Sequence, residues 1–171
     1  MVAVRSILVL CTGNSARSIL AEAAINHLPT LRERFVGHSA GSQPRGEVNP
    51  YALELLQRAG IDTQSLRSKS WDEFAAPGAP HMDLVITVCD NAAGEVCPFW
   101  PGQPATAHWG YADPSEVQGS DDERREAFRR TLHLIGRRLE LLVSLPASAL
   151  DRLGLQDQAR RLAKEAPEGG A

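Results

Sequence analysis

Four residues of this sequence have the types and placement to do chemistry: Cys11, Arg17, Cys89 and Cys97. Cys11 opens the run Cys11-Thr12-Gly13-Asn14-Ser15-Ala16-Arg17-Ser18. The residues between Cys11 and Arg17 are small or turn-forming, so the backbone there can wrap with several N–H groups pointing inward. Arg17 adds a planar fork of donors that matches two oxygens of a phosphate-shaped anion. A helix starting at this point contributes further unpaired N–H groups and a positive dipole end. The run from Thr12 to Ser18 therefore predicts a cradle for a tetrahedral dianion with a sulfur at its base. The same positive field favours the Cys11 thiolate, the form that attacks, and Ser18 is placed to donate a hydrogen bond to it. The plain alternative is a buried structural cysteine beside a Gly-Asn turn, which leaves the arginine and the helix start without a purpose.

Positioning such a loop requires a strand before it and a helix after it, and the sequence supplies both. Val4 to Leu10 is a β-branched and aliphatic run that reads as a strand buried on both faces. Cys11 to Ser18 reads as a loop. Leu20, Ala21, Ala24, Ile25 and Leu28 then recur at helical spacing until Pro29 stops them. Phe35 to Ala40 predicts a second strand ended by Gly41. Asn49-Pro50 predicts a capped helix with Ala52, Leu55, Leu56 and Ala59 inward and Gly60 as its stop. Leu84 to Val88 is a further strand, ending at Cys89, and Ala105 to Trp109 an edge strand. The capping box Ser120-x-x-Glu123 opens a long helix faced by Phe128, Leu132, Ile135, Leu139 and Leu142. Beyond Pro146, Leu150, Leu153 and Leu162 predict one more amphipathic helix before a Pro/Gly tail. Strands alternating with helices imply a parallel α/β sheet covered on both faces, with the ligand site beyond the carboxyl ends of the strands. Cys11 and Cys89 each follow a strand, which puts both thiols on one rim.

The bulk numbers agree with this architecture. A chain of 171 residues that is 43% apolar and 23% charged is long enough for one globular core without staples. The division expected is a catalytic domain over residues 1–145 and a C-terminal extension over 146–171. A net charge of −3 argues against a general nucleic-acid binder. No stretch approaches the roughly 20 apolar residues of a membrane span, and nothing resembles a signal peptide. The expected location is the cytoplasm, where an odd number of cysteines reads as reactive or metal-binding groups.

The Cys11 loop resembles that of the low-molecular-weight protein tyrosine phosphatase superfamily, which includes an arsenate-reducing branch coupled to thioredoxin. The resemblance runs from Val4 to Leu142. It implies a four-stranded parallel sheet with flanking helices, to which this chain adds an extra C-terminal helix. It also implies that Asn14 and Ser18 hold the loop geometry. Asp113-Pro114 matches the family's Asp-Pro loop, whose aspartate is the general acid that protonates a leaving oxygen. Some members carry polar residues that bind potassium near the Asn14/Glu22 side; Lys69 is expected to replace that ion by pairing with Glu22.

Phosphotyrosine enzymes of the superfamily place aromatic residues after the Asp-Pro to grip the substrate ring; here Ser115 and Glu116 follow. Cys89, Cys97 eight positions on, Trp100-Pro101-Gly102 and Ala107-His108-Trp109-Gly110 together resemble the arsenate-reducing branch. Reduction of As(V) to As(III) takes two electrons, which two thiols supply by becoming a disulfide. The expected activity is reduction of arsenate to arsenite by a relay through Cys11, Cys89 and Cys97, with phosphate and sulfate as analogues and weak phosphatase activity. No bound cofactor or metal is expected, only an external thiol reductant, thioredoxin or a glutaredoxin/glutathione system. A disulfide needs its Cα atoms within about 7 Å, so the segment from Asp90 to Val96 is expected to unwind partly when Cys97 attacks.

Three other readings compete with this one. A phosphatase hydrolysing phosphate monoesters through Cys11 is the first. A zinc site of Cys89, Cys97 and His81 or His108 lacks the usual close ligand pairing. A module that only senses phosphate-like anions leaves three thiols unexplained. His27, His38 and His133 read as surface or helix-end residues, and Trp71, Trp100 and Trp109 as rim or core packing. Arg124, Arg125, Arg129 and Arg130 read as the solvated face of the long helix.

Overall fold

The computed structural model describes residues 4–88, 104–144 and 159–164. Strand β1 (Arg5–Cys11) is the centre of the fold because its side chains are buried on both sides. Ile7, Val9 and Cys11 enter the larger core, while Leu8 and Leu10 enter a second core with Trp71, Phe74, Met82 and Val85. That period-two division is what a parallel strand covered on both faces requires. Strands β2 (Phe35–Gly41), β3 (Leu84–Thr87) and β4 (Ala105–His108) complete a four-stranded, all-parallel sheet of order β2-β1-β3-β4. Ala105–His108 is an edge strand, as its short alternating pattern predicts.

Helix α1 (Arg17–His27) returns from the end of β1 and packs on the larger core. Arg17 and Ser18 therefore belong to the first helical turn, and the loop proper is shorter than the sequence suggests. Pro29 also does more than stop α1. Leu28 is extended, and Pro29 begins the short helix α2 (Pro29–Arg32), because proline is tolerated where the first-turn N–H has no helical partner. Helix α3 (Pro50–Arg58) is capped by Asn49, whose side chain accepts from the Tyr51 N–H at 2.9 Å. The opposite face is covered by the short helix α4 (Asp72–Ala75), which the sequence pattern did not reveal.

The long helix α5 (Asp121–Val143) starts at Ser120, whose Oγ accepts from the Glu123 N–H at 3.2 Å. Phe128, Ile135, Leu139 and Leu142 are buried beneath it, with Leu132 packed alongside. Two of its arginines make surface ion pairs, Arg125 with Glu54 and Asp122 and Arg129 with Glu126, whereas Arg138 is buried. Residues 159–164 are helical and join the β4 side of the core, where the Ala159 carbonyl accepts from Trp109 Nε1 at 2.8 Å. Among the described residues no helix is long and apolar enough to cross a membrane.

Candidate active site

The loop between β1 and α1 is held from outside by its own carbonyls. Thr12 O accepts from the Gln43 N–H, Gly13 O from the Arg45 N–H and Ser15 O from the Asn49 N–H, each at 2.9 Å. Ser68 Oγ also donates to Gly13 O at 3.1 Å. In a planar trans peptide the carbonyl of one residue points opposite to the N–H of the next. Carbonyls of Thr12, Gly13 and Ser15 turned outward therefore aim the N–H groups of Gly13, Asn14 and Ala16 inward. Ala16 begins α1 without a side-chain cap, so the first N–H groups of that helix face the same space. The chain achieves this density only with glycine at position 41. A Cβ on Gly41 would collide with the Thr12 carbonyl oxygen and lie 2.9 Å from that of Cys11.

Asn14 pins the curvature. Among the described non-glycine residues it alone has positive φ, at 45°, in the left-handed region that asparagine tolerates better than most residues. Its side chain is fully buried and fully used: Nδ2 donates to Ser18 Oγ at 2.8 Å and to Ser39 Oγ at 3.0 Å, and Oδ1 accepts from the Lys69 N–H at 2.9 Å. The network continues inward. Ser39 Oγ donates to Glu22 Oε1 at 2.7 Å, and that same oxygen lies 3.6 Å from Lys69 Nζ. Lys69 Nζ donates to the Arg67 carbonyl at 2.9 Å, and both members of the ion pair are buried. Burial pushes the Lys69 ammonium below its ordinary range, and the neighbouring Glu22 carboxylate opposes that shift. The expected meeting of Lys69 with Glu22 is thus present, and Ser39, which the sequence did not single out, is its link to Asn14.

Cys11 is buried at the floor of a cavity of about 320 Å³ lined by Thr12, Gly13, Ser15, Ala16 and Arg17 below. Gln43, Arg45, Asp113, Ser115 and Glu116 line its mouth. Arg17 reaches across the site, donating through Nη1 to the Tyr111 carbonyl at 2.8 Å and placing Nη2 3.3 Å from Asp113 Oδ2. Its Nε is buried and meets no acceptor among the described residues, a costly state that a bound oxyanion relieves. Asp113 caps the 3-10 turn Pro114–Glu116, its Oδ1 accepting from the Ser115 N–H at 2.9 Å and from Ser115 Oγ at 2.7 Å. Behind it, the Arg138 guanidinium lies 5.3 Å from the Tyr111 ring centre and 5.6 Å from that of Trp109. Burial raises the Tyr111 hydroxyl to about 12, keeping it neutral.

Thus Cys11, Thr12, Gly13, Ser15, Ala16, Arg17 and Asp113 line one cavity, whereas Asn14 and Ser18 do not line it and are bonded to each other in the buried network. Cys89 and Cys97 lie outside the described residues, as does Trp100. The other sequence candidates stand apart. His108 Nδ1 is 2.7 Å from Thr87 Oγ1, and His81 is exposed near Asp83. His38 is a correction to the surface or helix-end reading: it lies half-buried in β2 with its ring 5.5 Å from that of Phe74, because residues of an edge strand still alternate into the second core. Among the described residues no group of His, Cys, Asp or Glu could hold a metal ion. Gln43 and Arg45 were not legible beforehand. Their only signal is position, just past the end of the strand that pairs with β1.

A four-stranded parallel sheet carrying an inward-turned N–H cradle over a buried cysteine defines the phosphatase-like class of enzymes. The chain belongs to the low molecular weight phosphotyrosine protein phosphatase family, whose model matches residues 6–156 and so extends past Leu142. Its similarity within that family points to one branch. An arsenate reductase of Halalkalibacterium halodurans is 38% identical over 131 residues, covering 77% of this chain and 89% of that protein. The structure of an arsenate reductase from Archaeoglobus fulgidus superposes with a TM-score of 0.62 at 25% identity, covering 81% of this chain and 99% of that one. A thioredoxin-dependent arsenate reductase of Corynebacterium glutamicum gives a TM-score of 0.54 at 26% identity, covering 81% and 63% respectively.

Proposed function

We propose that the protein reduces arsenate to arsenite, with Cys11 as the nucleophile. The observation that carries this reading is the buried Cys11 beneath a cradle whose Arg17 Nε awaits an acceptor, in a chain 38% identical to a curated arsenate reductase. Arsenate seats three oxygens among the N–H groups of residues 13–18 and the Arg17 fork, drawing Arg17 from its resting contact with Asp113. Ser18 Oγ accepts from Asn14, which leaves its own hydrogen to donate toward the Cys11 sulfur. The helix dipole and Arg17 stabilise the thiolate.

The Cys11 thiolate attacks arsenic, a sulfur–arsenic bond forms, and one arsenic–oxygen bond breaks. The departing hydroxyl takes a proton from Asp113 and leaves as water. The Cys89 thiolate then attacks the Cys11 sulfur. The sulfur–arsenic electron pair stays on arsenic, which becomes As(III), and the two sulfurs are oxidised to a disulfide. Cys97 attacks Cys89 in turn, releasing the Cys11 thiolate and leaving a Cys89–Cys97 disulfide. An external dithiol reduces that disulfide. Thioredoxin is the favoured donor, by likeness to the thioredoxin-dependent arsenate reductase of Corynebacterium glutamicum, and glutaredoxin with glutathione is the alternative. Lys69 supplies internally the positive charge that a potassium ion would otherwise bring to the Glu22 carboxylate.

The test is arsenate-dependent NADPH oxidation coupled through thioredoxin or through glutaredoxin, with para-nitrophenyl phosphate as the hydrolytic control. The expected result is arsenate turnover that Cys89→Ser abolishes while slow ester hydrolysis persists. Ester hydrolysis without arsenate turnover in the wild type would instead make the chain a phosphatase, and arsenate turnover in Cys89→Ser would end the three-thiol scheme.

A further inference from the structure

We infer that Arg45 is the second cation of the oxyanion site, placed to bind the outward oxygens of a free, unesterified tetrahedral dianion; for arsenate as that dianion, the inference rests on the function proposed above. Two backbone bonds at 2.9 Å, from Gln43 N–H to Thr12 O and from Arg45 N–H to Gly13 O, fasten this segment directly to the loop. The side chain of Arg45 then folds back over the loop instead of leaving it. Its Nε, Cγ and Cδ stand 3.2, 3.3 and 3.5 Å from where a Cβ on Gly13 would be. Glycine at position 13 lets the arginine lie this close, where a Cβ would press it outward by a few tenths of an ångström, and Arg45 lines the cavity together with Cys11 and Arg17. No carboxylate among the described residues pairs with Arg45, whereas Arg17 is engaged by Asp113 and Arg125 by Glu54. An unneutralised guanidinium fixed by a backbone tether is already in place when the anion arrives.

The geometry also gives Arg45 a role different from that of Arg17. An in-line attack by a sulfur at the floor directs the leaving oxygen outward, toward the mouth. Asp113 serves that oxygen with a proton, and Arg17 grips the oxygens nearer the floor. The mouth is otherwise polar, with Gln43, Ser115 and Glu116 and, among the described residues, no aromatic wall. Arg45 therefore adds charge attraction to ground state and transition state alike, which lowers KM and leaves kcat nearly untouched. Being exposed, it acts through a field that salt screens.

The experiment is calorimetric titration of inorganic phosphate into the fully reduced full-length chain, comparing wild type, Arg45→Ala, Arg45→Lys and Arg32→Ala at low and high chloride. Arg32 is an exposed arginine of α2 outside the cavity, so its removal reports the effect of net charge alone. The expected result is a loss of about fivefold in phosphate affinity for Arg45→Ala at low chloride, partial recovery in Arg45→Lys, no change in Arg32→Ala and a shallower salt dependence in Arg45→Ala. Thermal midpoints should stay level across the set. In arsenate assays Arg45→Ala should raise KM by a similar factor with kcat unchanged. Equal affinity in Arg45→Ala and wild type, an equal loss in Arg32→Ala, or no phosphate binding by the wild type would overturn the inference. Failure of the wild type to reduce arsenate would instead remove the proposed function, and the phosphate titration would still decide the role of Arg45.

Discussion

The floor and the mouth of the cavity are built on opposite principles. The floor is over-determined: Asn14 uses every polar atom of its side chain, its partners Ser18, Ser39 and Lys69 are buried, and the Glu22–Lys69 pair closes the network behind it. The mouth is assembled from exposed or half-buried side chains on two short segments, residues 43–45 and 113–116, each held by a few local bonds. The floor holds a strained backbone in one shape, which a preorganised anion site requires. In the proposed reaction the mouth would handle protons and charge with little structural commitment. Substitutions at the floor should therefore cost stability along with rate, and substitutions at the mouth should cost rate or affinity alone.

The largest effect expected at the mouth comes from Asp113→Asn. Loss of the proposed general acid should lower kcat by about 10²–10⁴-fold, while the thermal midpoint stays close to wild type. Steady-state kinetics beside thermal unfolding checks both halves, and a large stability loss would place Asp113 with the floor. At the floor, Asn14→Ala removes three buried hydrogen bonds and puts a β-carbon residue of low left-handed tolerance at φ 45°. Its cost should be about 2–4 kcal/mol in denaturant unfolding, with activity falling alongside.

Lys69→Met should cost somewhat less, about 1–3 kcal/mol, because it leaves the Glu22 carboxylate buried without its cation. Wild-type activity should be indifferent to added potassium. A clear gain on adding potassium would show that the ammonium does not fill that role.

The smallest effect is a pH dependence at the edge of the floor network. Burial lowers the His38 imidazole below 6.5, with Glu22 raising it and Lys69 lowering it further. The folded chain then binds fewer protons than the unfolded chain between that lowered value and 6.5, so stability rises with pH through this window and is lost on acidification. His38→Gln should flatten the fall of the thermal midpoint between pH 7 and pH 5, and an unchanged slope would exclude His38 as its source.

The floor was far more legible in the sequence than the mouth, for a physical reason. Cys11, Asn14, Arg17 and Ser18 act through a backbone shape set by their own neighbours, and the strand before them and helix after them carry strong periodicities. Asp113 was legible only through its proline and its likeness to a known loop. Arg45 and Gln43 act because β2 is paired in register with β1, Cys11 opposite Gly41, which delivers the residues past Gly41 to the carbonyls of Thr12 and Gly13. Nothing local to Ser42-Gln43-Pro44-Arg45 signals that pairing. Ser39 escaped notice for the same cause, since an inward serine on a strand announces no partner. Pro29 misled in a simpler way, because a proline that ends one helix is equally suited to begin another.

The central claim is that Cys11 attacks arsenic and that Cys89 completes the two-electron reduction by forming a disulfide with it. Its most direct test is a single turnover of the reduced Cys97→Ser chain with stoichiometric arsenate, quenched with a thiol-alkylating reagent and mapped by mass spectrometry. The account predicts one arsenite released per chain and a trapped Cys11–Cys89 disulfide. Arsenite release with Cys11 still a free thiol, or no arsenite with all thiols intact, would contradict it.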